Sequence, residues 1–144
     1  MSKRQINIFI SHSWRYSLHY EKLAEWIFDR NWRFGQAVLS LRNYSVPESD
    51  PIVGARSDRQ LREAIHRQMR LCHVVIIPTG MYIYHSLWMR REVQSASRLG
   101  KPILAVGLRG ALRTPRFVEE YADLQVGWTA RSVVAGVWRL YRDS

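Results

Sequence analysis

Cysteine is nearly absent from this chain of 144 residues: Cys72 is the only one. A single thiol excludes an internal disulfide and any metal cluster built on several cysteines. The histidines (His12, His19, His66, His73 and His85) show no ligand-type spacing, so no metal site is expected. Long apolar runs are missing as well. No stretch approaches the roughly 18 to 20 apolar residues needed to cross a bilayer. The basic start, Met1-Ser2-Lys3-Arg4, is followed only by Ile6 to Ile10, which Asn7 interrupts and which is too short for a signal-peptide core. The chain is therefore read as cytoplasmic, with no membrane partner. Its hydrophobic fraction of 47% excludes a disordered chain, and its length fits one domain over residues 1–144.

Acidic residues are scarce too. Twelve Asp and Glu face 22 Lys and Arg, leaving a formal charge of +10, and nearly all the cations are arginine. Such an excess favours phosphate-bearing or polyanionic partners, although solubility alone accounts for it equally well. The arginines are spread from Arg4 to Arg142 with only local pairs such as Arg90-Arg91. Aromatic stripes of the single-strand-binding kind are absent. Nucleic acid is thus not expected as a partner; a steep fall of binding with salt would be its signature.

What is present is a regular alternation of periods. Ile6 to Ile10 alternates and is β-branched, which predicts a first strand. Leu23, Trp26 and Ile27 recur at helical spacing within Leu18 to Phe28. The stretch from Arg30 to Leu41 is aromatic-rich and fits no clear pattern; a short second strand, Leu41 to Val46, is expected after it, ended by Pro47. Pro47 to Gly54 has loop chemistry. Ser57 is a plausible N-cap for a helix through Leu61, Ile65 and Met69. His73 to Pro78 is the most apolar run in the chain and reads as a central parallel strand buried on both faces. A helix from Ser86 to Leu99 should stop at Gly100. A fourth strand (Ile103 to Val106), a weaker helix near Pro115 to Tyr121, a short strand (Leu124 to Val126) and a closing helix (Ala130 to Tyr141) complete the series.

Five strands alternating with helices imply an α/β fold: a parallel sheet covered on both faces, a three-layer sandwich. The flavodoxin-like order 2-1-3-4-5 is expected. In such sheets a ligand binds outside the carboxyl ends of the strands, where the order reverses between strands one and three. The loops after the first three strands should converge there.

The third of those loops leads into Ser86-Leu87-Trp88-Met89-Arg90-Arg91-Glu92. Trp88 and Glu92 are four apart and share one helical face. Glu92 is the only acid between Glu63 and Glu119. At the expected cleft, a carboxylate there can stabilise an oxocarbenium-like centre or hold ribose hydroxyls; equally, it reads as a solvated glutamate paired with Arg90 or Arg91. Trp88 reads as core as readily as site, and Ser86 as a helix N-cap.

The pattern Ser-x-Trp-x-x-x-Glu at Ser86, Trp88 and Glu92 resembles the motif of NAD-cleaving TIR (Toll/interleukin receptor) domains. Asn7 to Trp14, Asn43 to Pro47, Asp50 to Ile52, Gly100 to Ile103 and Val126 to Trp128 are similar to segments of the Thoeris ThsB-type TIR-like family of bacterial antiphage defence. The resemblance runs from about residue 5 to 140 and implies a TIR-like fold. It implies that Glu92 is the catalytic carboxylate and that Phe9, Ser11, His12 and Ser13 line the nicotinamide and ribose end. Tyr44, Ser45 and Pro47 would border the pocket, with Ser86 and Trp88 completing the motif. It also implies an NAD nucleosidase or ADP-ribosyl cyclase-like enzyme that takes NAD as substrate and needs no cofactor. Its product, a cyclic or conjugated ADP-ribose, would reach a separate effector protein. The rival expectation is a non-enzymatic TIR-type module that assembles with like domains, and a homo-oligomer fits either. A receiver-like phosphoacceptor is excluded, because Ile77-Pro78-Thr79 ends the third strand without an aspartate.

Overall fold

Alternation along the first strand decides where the two cores lie. In a computed structural model, which describes residues 2–11, 18–45, 58–79, 86–107 and 116–144 (the side chains of Asp58, Leu61, Ser86, Leu87 and Trp88 excepted), β1 spans Ser2–Ile10. Ile6, Ile8 and Ile10 point to one face of the sheet. There they pack with Leu23 and Ile27 of helix α1 (Leu18–Phe28) and with Val133 and Val137 of α5 (Ala130–Asp143). Phe9 points to the other face and meets Ile65 and Met69 of α2 (Asp58–Arg70) and Met89, Val93 and Ala96 of α3 (Ser86–Arg98). A short helix, α4 (Arg116–Tyr121), adds Val118 to this second core. Two helices thus cover one face and three the other, because period-2 strands and period-3.6 helices each present one apolar side.

The sheet has six strands rather than the five expected, in the order β2-β3-β1-β4-β5-β6. The expected five-stranded, all-parallel sheet in the order 2-1-3-4-5 is therefore corrected. The added strand, β2 (Trp32–Phe34), pairs antiparallel with β3 (Ala37–Asn43), with Phe34 opposite Ala37. Gly35 and Gln36 form the two-residue turn between them. Gly35 has φ of 59° and Gln36 does not enter the positive-φ region, as in a type II′ hairpin, whose twist suits antiparallel strands. This hairpin is what the stretch from Arg30 to Leu41 forms, and β3 starts four residues before the strand expected at Leu41. Parallel pairing joins β3, β1, β4 (Val74–Thr79), β5 (Ile103–Gly107) and β6 (Leu124–Val126). All six residues of β4 are buried, as a strand covered on both faces requires.

Helix ends follow local chemistry. Gly100, at φ of 70°, closes α3 in a Schellman motif: its N–H donates to Ser97 O at 3.1 Å and Lys101 N–H to Ala96 O at 2.9 Å. Thr129 caps α5, its hydroxyl accepting the Ser132 N–H at 3.1 Å. Among the described residues no helix is long and apolar enough to cross a membrane.

Two outcomes follow from this packing. Within α5, Gly136 lets the helix approach the sheet: a Cβ there would lie 2.9 Å from Leu104 Cδ1 and 3.2 Å from Val126 Cγ1. Gly136→Val should destabilise the fold by about 1–3 kcal/mol through overpacking, read as a lower midpoint in urea. The second concerns His73, whose Nδ1 accepts the Asn7 N–H at 2.8 Å and so carries no proton. Burial first, and the charge of Lys101 second, hold this imidazole below its ordinary pKa of 6.5. The unfolded chain then takes up this proton at a higher pH than the folded one. The His73 contribution is complete above about pH 6.5 and is lost as pH falls through the lower folded value. His73→Gln should flatten the decline of Tm on acidification from pH 7 to about pH 5.

Candidate functional site

β1 leaves the sheet at Ser11, between β3, which ends at Asn43, and β4, which runs on to Thr79. The backbone there is fixed from both flanks. The Ser11 N–H donates to Ile76 O of β4 at 2.9 Å. On the β3 side, the Tyr44 N–H donates to Ile8 O at 2.8 Å. The next rung is made by a side chain: Ser45 Oγ accepts the buried Ile10 N–H at 2.9 Å. Ser45 is itself placed by its N–H, which donates to Asn43 Oδ1 at 3.0 Å, and Asn43 Nδ2 donates to the Tyr20 hydroxyl of α1 at 3.1 Å. A serine hydroxyl thus takes the place of the carbonyl that β3 would have offered had it continued.

Ser11 follows Phe9 in the strand alternation and faces the α3 side. It is fully buried, and its hydroxyl donates to Oε1 of Glu92, which is fully buried as well. Glu92 lies on the same stripe of α3 as Met89, Val93 and Ala96, all of them buried. The reading of Glu92 as a solvated surface glutamate is therefore overturned. Its neighbour Arg90 is exposed and holds its guanidinium 4.7 Å from the centre of the Phe117 ring. A carboxylate without exposed surface is costly unless hydrogen-bond donors reach it, and Ser11 is one such donor.

The residues singled out in the sequence divide accordingly. Ser11 and Glu92 are hydrogen-bonded at the carboxyl end of β1, and Ser45 bonds the backbone of the preceding residue, Ile10. Phe9 is buried beneath them in the core between β1 and the α2–α3 layer, and partly buried Tyr44 packs against that same core. His12, Ser13 and Pro47 lie outside the described residues. Ser86 and Trp88 belong to the first turn of α3, and their side chains lie outside the described set. Asn43 was not singled out as a site residue, although the Asn-Tyr-Ser order that lets it accept from Ser45 was visible. Val126-Gly127-Trp128 has a packing role, since Trp128 lies 4.7 Å from Trp26 and 5.6 Å from His19 of α1, centre to centre.

Fold and site together define a doubly wound α/β domain with a buried carboxylate at the carboxyl edge of its sheet. The sequence pattern of the family described as Thoeris protein ThsB, TIR-like domain, matches residues 9–113, a span that holds Ser11, Ser45 and Glu92. The chain belongs to this Thoeris ThsB TIR-like family. No curated protein matches it. Among solved structures it is similar to the CMP N-glycosidase BcmB of Clostridium botulinum, with a TM-score of 0.58 at 12% identity over 92% of this chain and 98% of that one. At that identity the likeness speaks for the fold.

The Ser45 rung can be tested without reference to activity. Ser45→Ala leaves the Ile10 N–H buried without its acceptor and should cost about 1–3 kcal/mol. Exchange of the Ile10 amide, followed by NMR, should accelerate relative to the core of β4, and Ser45→Thr should restore both properties.

Proposed function

We propose that this protein cleaves the bond between nicotinamide and ribose in NAD, with Glu92 as the catalytic carboxylate. The observation that carries this reading is the buried Glu92 side chain, held by Ser11 at the carboxyl end of β1. That edge is where open α/β sheets bind their ligands. Membership of a TIR-like family supports it, as does the fold shared with an enzyme whose name describes scission of a base–ribose bond.

In the proposed reaction the C1′–N bond breaks and its electron pair leaves with nicotinamide, which departs neutral. Positive charge develops on the anomeric carbon and ring oxygen. A carboxylate already desolvated and oriented stabilises that charge more strongly than one in water, and it needs no reorganisation as the charge appears. The Ser11 hydroxyl donates to Oε1 and so orients the carboxylate toward the ribose. A nucleophile then captures the ADP-ribosyl cation. Capture by a group of the same molecule, or by another acceptor, gives a cyclic or conjugated ADP-ribose suited to act as a signal to a separate effector in antiphage defence. Exclusion of water favours those outcomes over hydrolysis.

The likeness to BcmB raises a second substrate, CMP, whose cleavage would use the same carboxylate on a different base. Incubation of the purified protein with NAD and, separately, with CMP, followed by mass spectrometry, distinguishes the two. Nicotinamide release is expected from NAD, and Glu92→Gln should reduce it by at least about a hundredfold, as for loss of a transition-state electrostatic contact. Full NAD turnover by Glu92→Gln, or release of cytosine from CMP with NAD left intact, would overturn the assignment.

A further inference from the structure

At the opposite end of the sheet, the amino edge carries a set of side chains that the proposed reaction does not use. The β2–β3 hairpin and the last turns of α5 bring four aromatic rings into one series. Trp32 and Phe34 lie 6.4 Å apart with planes 10° from parallel, Phe34 and Trp138 6.5 Å apart at 19°, and Trp138 and Tyr141 6.0 Å apart at 21°. Each ring is only partly buried. Two guanidiniums lie over this series: Arg131 at 5.5 Å from the centre of Phe34, and Arg142 at 5.3 Å from that of Trp138. Phe34, Trp138, Tyr141 and Arg142 also line a cleft of about 690 Å³, together with Arg4 of β1.

A cleft of this size has room for a small ligand. Near-parallel, partly exposed rings accept a flat heteroaromatic ring by stacking, whatever its hydrogen-bonding edge. Arg4 and Arg142 supply positive charge beside those faces, and guanidinium is the cation best shaped for bidentate contact with phosphate oxygens. An exposed guanidinium resting on a ring is held only weakly. Arg142 can therefore exchange its place over Trp138 for a phosphate as a base takes that face.

We propose that this cleft binds a nucleotide, its base stacked on the Trp138 ring series and its phosphate held by Arg142 and Arg4. The site is separate from the carboxylate edge. Arg4 and Ser11 lie near opposite ends of β1, a separation of about 23 Å at the usual rise of a strand. The inference therefore stands whether or not NAD is the substrate at Glu92. The rings come from positions about a hundred residues apart in the chain, so no aromatic stripe was visible along the sequence.

The test is isothermal titration of the whole chain with 5′-AMP and with a ten-nucleotide oligothymidylate, on wild type, Trp138→Leu and Arg142→Gln. Binding is expected in wild type and should weaken by about tenfold or more in Trp138→Leu, the usual scale for loss of one base-stacking ring. Arg142 is exposed, so Arg142→Gln should keep the fold, verified by an unchanged Tm, while weakening both ligands severalfold. Binding of AMP identifies free nucleotide as sufficient; binding of the oligonucleotide alone, falling steeply with salt, assigns the ligand to a single strand. Absence of binding by both probes would overturn the proposal. Equal affinity in wild type and both variants would also sink it, since the ligand would then sit elsewhere.

Discussion

A glutamate side chain with no exposed surface sits between a helix and the end of a central strand, and much of the architecture around it is set by that burial. Removing a carboxylate from water costs several kcal/mol unless donors replace the lost hydration. The Ser11 hydroxyl does so only if β1 ends with residue 11 on the α3 face. That ending is secured by Ile76 O on one flank and Ser45 Oγ on the other. α3 must in turn stand at the right height, which Met89, Val93 and Ala96 secure by packing on the same core as Phe9. Replacement of such a polar pair by apolar side chains is often neutral or stabilising. Stability alone therefore does not account for the pair, and this is what makes Glu92 a candidate for the proposed catalytic role.

The parts of the fold that were legible in the sequence are those where one face of an element is buried along its whole length. α1 could be bounded at Leu18 and Phe28 around the buried stripe of Leu23, Trp26 and Ile27, and β4, expected from His73 to Pro78, runs one residue later. β1 was underestimated for the opposite reason. From Ser2 to Gln5 both faces of the strand are exposed, so side-chain pattern carries no signal there. Pairing is made by the backbone, with Ser2 opposite Ala37 and Gln5 opposite Ser40. The β2–β3 hairpin was missed although its signal was present: Gly35-Gln36 is a Gly-first two-residue turn between Trp32-Arg33-Phe34 and Ala37-Val38-Leu39. At three residues, β2 is too short for periodicity to stand out, and only the turn chemistry identifies it.

The site was legible in a different way. Topology points to the carboxyl end of the first strand and the resemblance to Glu92 as the candidate site; neither shows how Glu92 is held. Arg90 and Arg91 beside it invited the picture of a solvated ion pair. Helical spacing argues otherwise, since residues 89, 92, 93 and 96 fall on one stripe and the other three are Met, Val and Ala. An acid on an otherwise apolar stripe is a buried acid, and buried acids are held by specific donors. The identity of that donor depends on a residue 81 positions away in the chain, a relation that only the folded sheet reveals.

The excess of arginine acquires a physical meaning from where the guanidiniums lie. Arg90 rests over Phe117, Arg131 over Phe34 and Arg142 over Trp138. Lysine serves poorly in such positions, because its compact, strongly hydrated ammonium cannot lie flat against a ring. The ion pairs Lys22–Glu25, Arg30–Glu25, Arg59–Glu63 and Arg139–Asp143 are exposed and contribute little to stability. The arginines on rings cover half-buried aromatic surface that would otherwise face water, while the charge keeps copies of the chain apart. Two of the three gather at the amino edge, where Trp32, Phe34, Trp138 and Tyr141 are only partly buried. Charge and ring surface thus coincide at the end of the sheet remote from Glu92, so that among the described residues a buried carboxyl group marks the carboxyl edge and exposed cations over aromatic rings mark the amino edge.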